Sequence, residues 1–186
     1  MMSDALKNEN EVFKILRECI VDGLSVMQIS DGVDVRRFAQ ANFNHGDKLV
    51  LINFAKNGRA GWQAAHYENE SETYGSQKKR VDWWIEEQTY QISVIKRMRK
   101  DDTTDTITAE DISTRLIAWF NGRGMEWLRQ KGISNYLIDP NSIIVYNDDS
   151  DLYQRRPVFD VTLVVNKEFT SEEPDLDILG VKTKPI

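Results

Sequence analysis

The chain has 186 residues, 40% hydrophobic and 29% charged, with a formal net charge of −6 and a pI near 5.0. This is the profile of a single globular domain long enough to bury a core, and it excludes a disordered chain, which would not carry five tryptophans. The acidic balance disfavours tight binding to a phosphate backbone, which needs clustered Lys and Arg; Lys78-Lys79-Arg80 and the group Lys96-Arg97 with Arg99-Lys100 read as solvated faces.

The polar start Met1-Met2-Ser3-Asp4 lacks the apolar stretch of a secretory signal, and no apolar run reaches the length of a membrane span, so no membrane is expected as a partner. A first helix follows. Asn8 or Asn10 can cap it, Glu9 and Glu11 suit the positive end of its dipole, and Gly23 is the expected stop. Val12, Phe13, Leu16 and Ile20 share one face, widened by Ile15 and Cys19. Cys19 is the single cysteine, so no intrachain disulfide can form, and it reads as a small buried apolar residue. Val33, Val35 and Phe38 suggest an irregular or edge strand, and Asn42 to Asp47 a turn.

Lys48 to Lys56 and Arg59 to Tyr67 flank Asn57-Gly58, which predicts a hairpin closed by a two-residue turn with positive φ. That register sets Asn53 opposite Trp62, Leu51 opposite Ala64 and Leu49 opposite His66. Val50, Ile52 and Phe54 occupy the other face, so the first strand should be covered on both sides. Glu68 to Val81 reads as a long exposed loop or an extended hairpin arm. Asp82 to Met98 is a long strand in which Tyr90, Ile92 and Val94 alternate with Thr89, Gln91 and Ser93. Trp83 and Trp84 at its start point to opposite faces, so one of them must meet solvent or a partner.

After the acidic loop Asp101 to Asp105, Thr108 and Asp111 form the aspartate variant of a capping box. The helix they open presents Ala109, Ile112, Leu116, Trp119 and Phe120 and ends near Gly122; a second, Met125 to Gln130, ends at Gly132. Strands are predicted at Ile143 to Tyr146 and Val158 to Val165, joined by a polar loop, Asn147 to Arg156. Tyr153, Arg155 and Arg156 sit together on that loop and, with Trp83 and Trp84, are the candidate subunit-interface residues, because interface anchors are enriched in Trp, Tyr and Arg. Glu168 to Ile186 is read as an acidic C-terminal arm appended to one domain, residues 1–167. The expected class is α/β (α+β): a mixed, mainly antiparallel sheet flanked by helices.

No constellation carries chemistry. His45 and His66 lack ligand companions at metal spacing, and Gly122 and Gly124 have no Lys-Ser/Thr after them. Asp148, Asp149 and Asp151 lack the glycine and distal glutamate of a calcium loop. The expectation is no catalytic, cofactor or metal residue and no enzyme. A small metal-dependent hydrolase using the Asp148 to Asp151 loop is the alternative from another class.

Three stretches resemble the neck and tail-terminator proteins of tailed bacteriophages. They are Glu86 to Val94; Thr108-Ala109-Glu110-Asp111-Ile112 leading through Leu116 to Trp127-Leu128-Arg129 and Gly132-Ile133; and Asn147 to Leu163, where a polar loop and Pro157 precede the alternating Phe159-Asp160-Val161-Thr162-Leu163. The likeness covers residues 86–165, and the first half in layout only. It implies a virion subunit assembled in the bacterial cytoplasm, a ring of usually six copies at the head-tail junction. Its partners would be the tail tube protein and the head-tail connector or neck proteins, with genomic DNA passing through the channel without specific binding. Another neck component, such as a head-completion or connector protein, or a tail-tube or baseplate subunit, is the alternative within this class.

Overall fold

The strand pattern around Tyr90 becomes the centre of the molecule. In the computed structural model, which describes residues 9–38, 48–69, 78–96, 107–147 and 153–173, the elements are α1 (Glu9–Val26), β1 (Val33–Arg37), β2 (Lys48–Asn69), β3 (Lys78–Lys96), α2 (Ala109–Phe120), α3 (Arg123–Gln130), β4 (Ile133–Asn147) and β5 (Tyr153–Glu173). The strands form one sheet in the order β1-β2-β3-β5-β4, with β1 parallel to β2 and every other pair antiparallel. This is the mixed, mainly antiparallel α+β architecture that the sequence predicts.

The helices cover one face of the sheet. Leu16 and Ile20 of α1, Ile112, Leu116 and Phe120 of α2 and Leu128 of α3 are fully buried there. They pack with Val50, Ile52, Tyr90, Ile92, Val94, Phe159, Val161 and Leu163 from the strands. On the opposite face Leu49 and Leu51, 4% exposed, and Val158, 2% exposed, are buried outside that cluster, so the start of β2 is covered on both sides as its composition requires. The Thr108–Asp111 capping box forms: the Thr108 hydroxyl accepts from the Asp111 N–H (3.1 Å) and the Asp111 carboxylate accepts from the Thr108 N–H (2.9 Å). Gly132 adopts φ 71°, the left-handed conformation expected of a residue that ends a helix.

The hairpin at Asn57-Gly58 does not form. β2 runs through both residues, with Asn57 opposite Gln88 and Gly58 opposite Glu87 of β3, and Gly58 is not among the glycines of positive φ. Leu49, Leu51 and Asn53 accordingly face Ile95, Ser93 and Gln91, not His66, Ala64 and Trp62. The reason is competition for the ladder. A local hairpin would fold Arg59 to Tyr67 back on Lys48 to Lys56 and leave β3 before Gln88 paired with β5 alone, whereas the long pairing gives that stretch a partner strand on both sides. Register shifts between Phe54 and Lys56 and between Ala60 and Ala64 absorb the mismatch as bulges.

Of the two readings of Glu68 to Val81, the extended hairpin arm is the one realised: β2 continues to Asn69 and β3 begins at Lys78. Tyr153 to Arg156, expected on a loop, instead open β5 and pair with Ile144 to Asn147, because β4 is far longer than Ile143 to Tyr146. β5 also runs on to Glu173, into the segment read as an arm, while residues 174–186 lie outside the described residues, as do the expected turn at 42–47 and the acidic loop at 101–105.

Gly23 does not stop α1, which continues to Val26. Its role is packing. The Trp119 indole lies against Gly23 of α1 and Gly124 of α3, where an added Cβ would meet the ring at 2.8 Å and 2.6 Å, and its Nε1–H donates to the Cys19 carbonyl at 3.1 Å. Gly23→Ala should therefore destabilise the protein by about 1–3 kcal/mol through overpacking, against a helix-propensity gain of about 1 kcal/mol. A urea midpoint at or above that of the wild type would contradict the slot.

A second expectation follows from the cap. The Asp111 carboxyl is held below its ordinary value of 3.8, first by the hydrogen bond from the Thr108 backbone and then by that from its side chain. A depressed carboxylate stabilises the fold above its unfolded pKa and loses that contribution as pH falls through the folded value. Asp111→Asn should thus be less stable than the wild type at pH 7, and the gap should close as pH falls below about 4. A gap that is unchanged at pH 3 would remove the carboxylate from the cap.

Candidate subunit interface

β2, β3 and β5 extend well past the helix layer and form a three-stranded arm. On the helix side of β3 the core gives way to a polar row. The Tyr90 hydroxyl donates to Gln88 Oε1 (2.9 Å), Gln88 Nε2 donates to Glu86 Oε1, and Lys167 Nζ of β5 lies 4.0 Å from that oxygen. Burial pushes the Tyr90 phenol far above its ordinary value. It therefore stays a neutral donor, and the edge of Phe54 packs on its ring at 5.4 Å between centroids. Farther out the Arg80 guanidinium donates to Asp82 (Nη2 to Oδ1, 3.2 Å). At the far end the backbone register sets Glu68, Lys79 and Glu172 opposite one another on the three strands.

Trp83 is 45% exposed on the other face of this arm, in register with Ala64 of β2 and Glu168 of β5. Trp84 is half-buried on the helix side, opposite Lys167. The expectation that one tryptophan of the pair stands out is met, and it is Trp83. Arg156 is half-buried at the other end of β5, its guanidinium 5.5 Å above the ring of Phe38, which is itself 47% exposed. Tyr153 and Arg155 are placed by backbone register only, opposite Asn147 and Val145.

The five candidates therefore do not converge. Glu168, the neighbour of Trp83, lies about a dozen residues along β5 from Arg156, roughly 40 Å of strand. Backbone register puts Tyr153, Arg155 and Arg156 at the body end of β5 and Trp83 and Trp84 on the arm. Sequence reasoning placed Phe38 in the edge strand with Val33 and Val35 and missed it as a site residue, because its stacking partner Arg156 lies over a hundred residues later.

Cys19 is buried, with its thiol pushed up to about 11 mainly by that burial, and so stays protonated and unreactive. Among the described residues no three His, Cys, Asp or Glu side chains group so as to hold a metal ion, and no helix is long and apolar enough to cross a membrane. Asp148, Asp149, Asp151 and His45 lie outside the described residues.

A helix-backed sheet with a long strand extension defines an α+β protein. Residues 11–174 match the family of the E217 gateway protein gp29, and the chain belongs to that family of phage proteins. No curated protein matches the sequence. A similar solved structure is a sheath/tube terminator, in its extended state, of the extracellular contractile injection system PVC. It has 10% sequence identity and a TM-score of 0.43, and the match covers 86% of this chain and 57% of that one.

Two substitutions separate the arm from the core. Tyr90→Phe should cost about 1–3 kcal/mol, because it leaves the buried Gln88 carbonyl without its donor. Trp83→Ala should change unfolding free energy by less than about 1 kcal/mol, since an exposed side chain away from packing rarely matters more. Denaturant titration of the two variants checks both, and a large loss in Trp83→Ala would make that residue part of the fold.

Proposed function

We propose that this chain is the subunit of a homo-oligomeric ring, six copies in the simplest form, that caps the tail tube and joins it to the neck proteins of the phage. Membership of the gateway-protein family over residues 11–174 carries the reading. A ring needs two different patches per subunit, each meeting its complement on the next copy. The candidate residues fall at two places, the exposed Trp83 with Trp84 on the arm's opposite face, and Tyr153, Arg155 and Arg156 at the body end. The net charge of −6 suits a channel through which DNA passes without being gripped, because like charges repel. Assembly in the bacterial cytoplasm and residence at the head-tail junction follow from this role.

The test is made on phage particles. With Trp83→Ala or Arg155→Ala in place of the native chain, virions should show tails unjoined to filled heads, or tails of uncontrolled length, while the purified variants stay folded. Normal joined virions formed in the complete absence of the protein would end the reading.

A further inference from the structure

The arm has two outer edges, and the body shows how such edges are closed. There β1 pairs with β2 from Lys48 to Ile52, and β4 pairs with β5 from Tyr153 to Val165. Past those limits no described strand pairs with the outer side of β2 from Asn53 to Asn69, or with the outer side of β5 from Asn166 to Glu173. Ala55, Lys56, Asn57 and Gly58 are exposed in succession, so neither face of β2 is covered where it leaves the body, and Asn166 and Glu168 of β5 are exposed as well. A row of strand N–H and C=O groups in this state is a template for another strand.

The two edges differ in charge. From Asn53 to Asn69, β2 contains Lys56 and Arg59 and one carboxylate, Glu68 near its end. From Asn166 to Glu173, β5 contains Glu168, Glu172 and Glu173, and its one cation, Lys167, lies against Glu86 of its own chain. We propose that copies of this chain join through these edges, the outer side of β2 in one copy pairing with the outer side of β5 in the next, so that successive arms form one continuous sheet.

Direction and symmetry agree with this pairing. β2 and β5 are each antiparallel to β3, so they run the same way, and copies related by a rotation with their arms aligned present them as a parallel pair. The contact is heterologous and repeats around a ring, whereas β2 against β2 would be antiparallel and would stop at a dimer. The inference rests on the ring reading above and specifies which elements form the contact.

Cysteine crosslinking of the purified full-length chain tests it, with the oligomer mass measured in parallel. One cysteine is placed on β2 (Asn57→Cys or Ala64→Cys) and one on β5 (Asn166→Cys or Glu168→Cys). The native Cys19 is buried and can stay. Within one copy the two edges are two strand spacings apart, about 10 Å, beyond disulfide reach, so any link is between copies. Under mild oxidation at least one double variant should give a ladder of covalent oligomers on a denaturing gel, while the single variants stay unlinked. An oligomer of unchanged mass with no ladder from any of the four combinations would overturn the edge pairing and leave the ring intact, and dimers from a single β2 cysteine would overturn it too. A chain that stays monomeric at every concentration would overturn the ring reading and the edge pairing with it.

Discussion

The ladder centred on β3 is the constraint from which the rest follows. Strands of 22, 19 and 21 residues share it, and β3 is paired on both sides along nearly its whole length. At about 3.3 Å per residue such strands run to roughly 60–70 Å, whereas α1, with 18 residues, spans about 27 Å, and α2, with 12, about 18 Å. The helix layer can cover only part of the sheet. Apolar alternation on the helix side of β3 stops where the helices stop, at Tyr90, and the next residues on that side are Gln88 and Glu86. Backbone pairing continues because every strand amide needs a partner, but the side chains beyond Tyr90 must satisfy one another.

Helix placement depends on a small contact within this frame. Trp119 fills the junction of α1, α2 and α3, and the ring fits because Gly23 and Gly124 carry no side chain where it approaches. The indole N–H meets the Cys19 carbonyl, so the polar atom of a buried tryptophan is not left unpaired. Arg17 donates to the Val35 carbonyl at 2.9 Å, and the Arg37 guanidinium pairs with Glu9 and lies over the ring of Phe13. These contacts anchor α1 over β1, the shortest strand, at one edge of the sheet.

Local signals in the sequence were legible where local physics decides. The Thr108–Asp111 cap that opens α2, the end of α3 at Gln130 with the glycine that follows it and the alternation around Tyr90 all follow from residues within one turn or one strand of each other. Asn57-Gly58 shows the limit. A turn preference is worth little beside the loss of a ladder of backbone hydrogen bonds, and the partner that offers that ladder lies about thirty residues away, where no turn rule looks. Gly23 fails for the same reason in reverse: its local reading is a helix stop, but the group that requires a glycine there is Trp119. Tyr153 to Arg156 looked like a polar loop because a strand with charged residues on an outlying ladder carries no hydrophobic period. The outstanding tryptophan was legible as one of a pair, since two adjacent residues of a strand cannot face the same way; the tertiary packing of Trp84 selects Trp83.

A sheet that runs so far beyond its core carries a hazard of uncontrolled edge pairing, and the sequence contains several restraints on it. The β2 edge is broken by register shifts at Phe54/Lys56 and Ala60/Ala64, which twist a strand locally and shorten the stretch that another can follow. Similar shifts interrupt β4, whose outer edge also contains Pro140, a residue that cannot donate to a ladder. β5 ends in Glu172-Glu173, so two copies of that edge repel each other. These features do not abolish pairing. They discriminate among partners: an edge with bulges at fixed positions and charge mainly of one sign accepts a strand that is complementary in both register and sign and rejects its own duplicate. An arm built this way can stay bare on an isolated chain without causing aggregation, and the same irregularities make its contacts selective when a matching surface is presented.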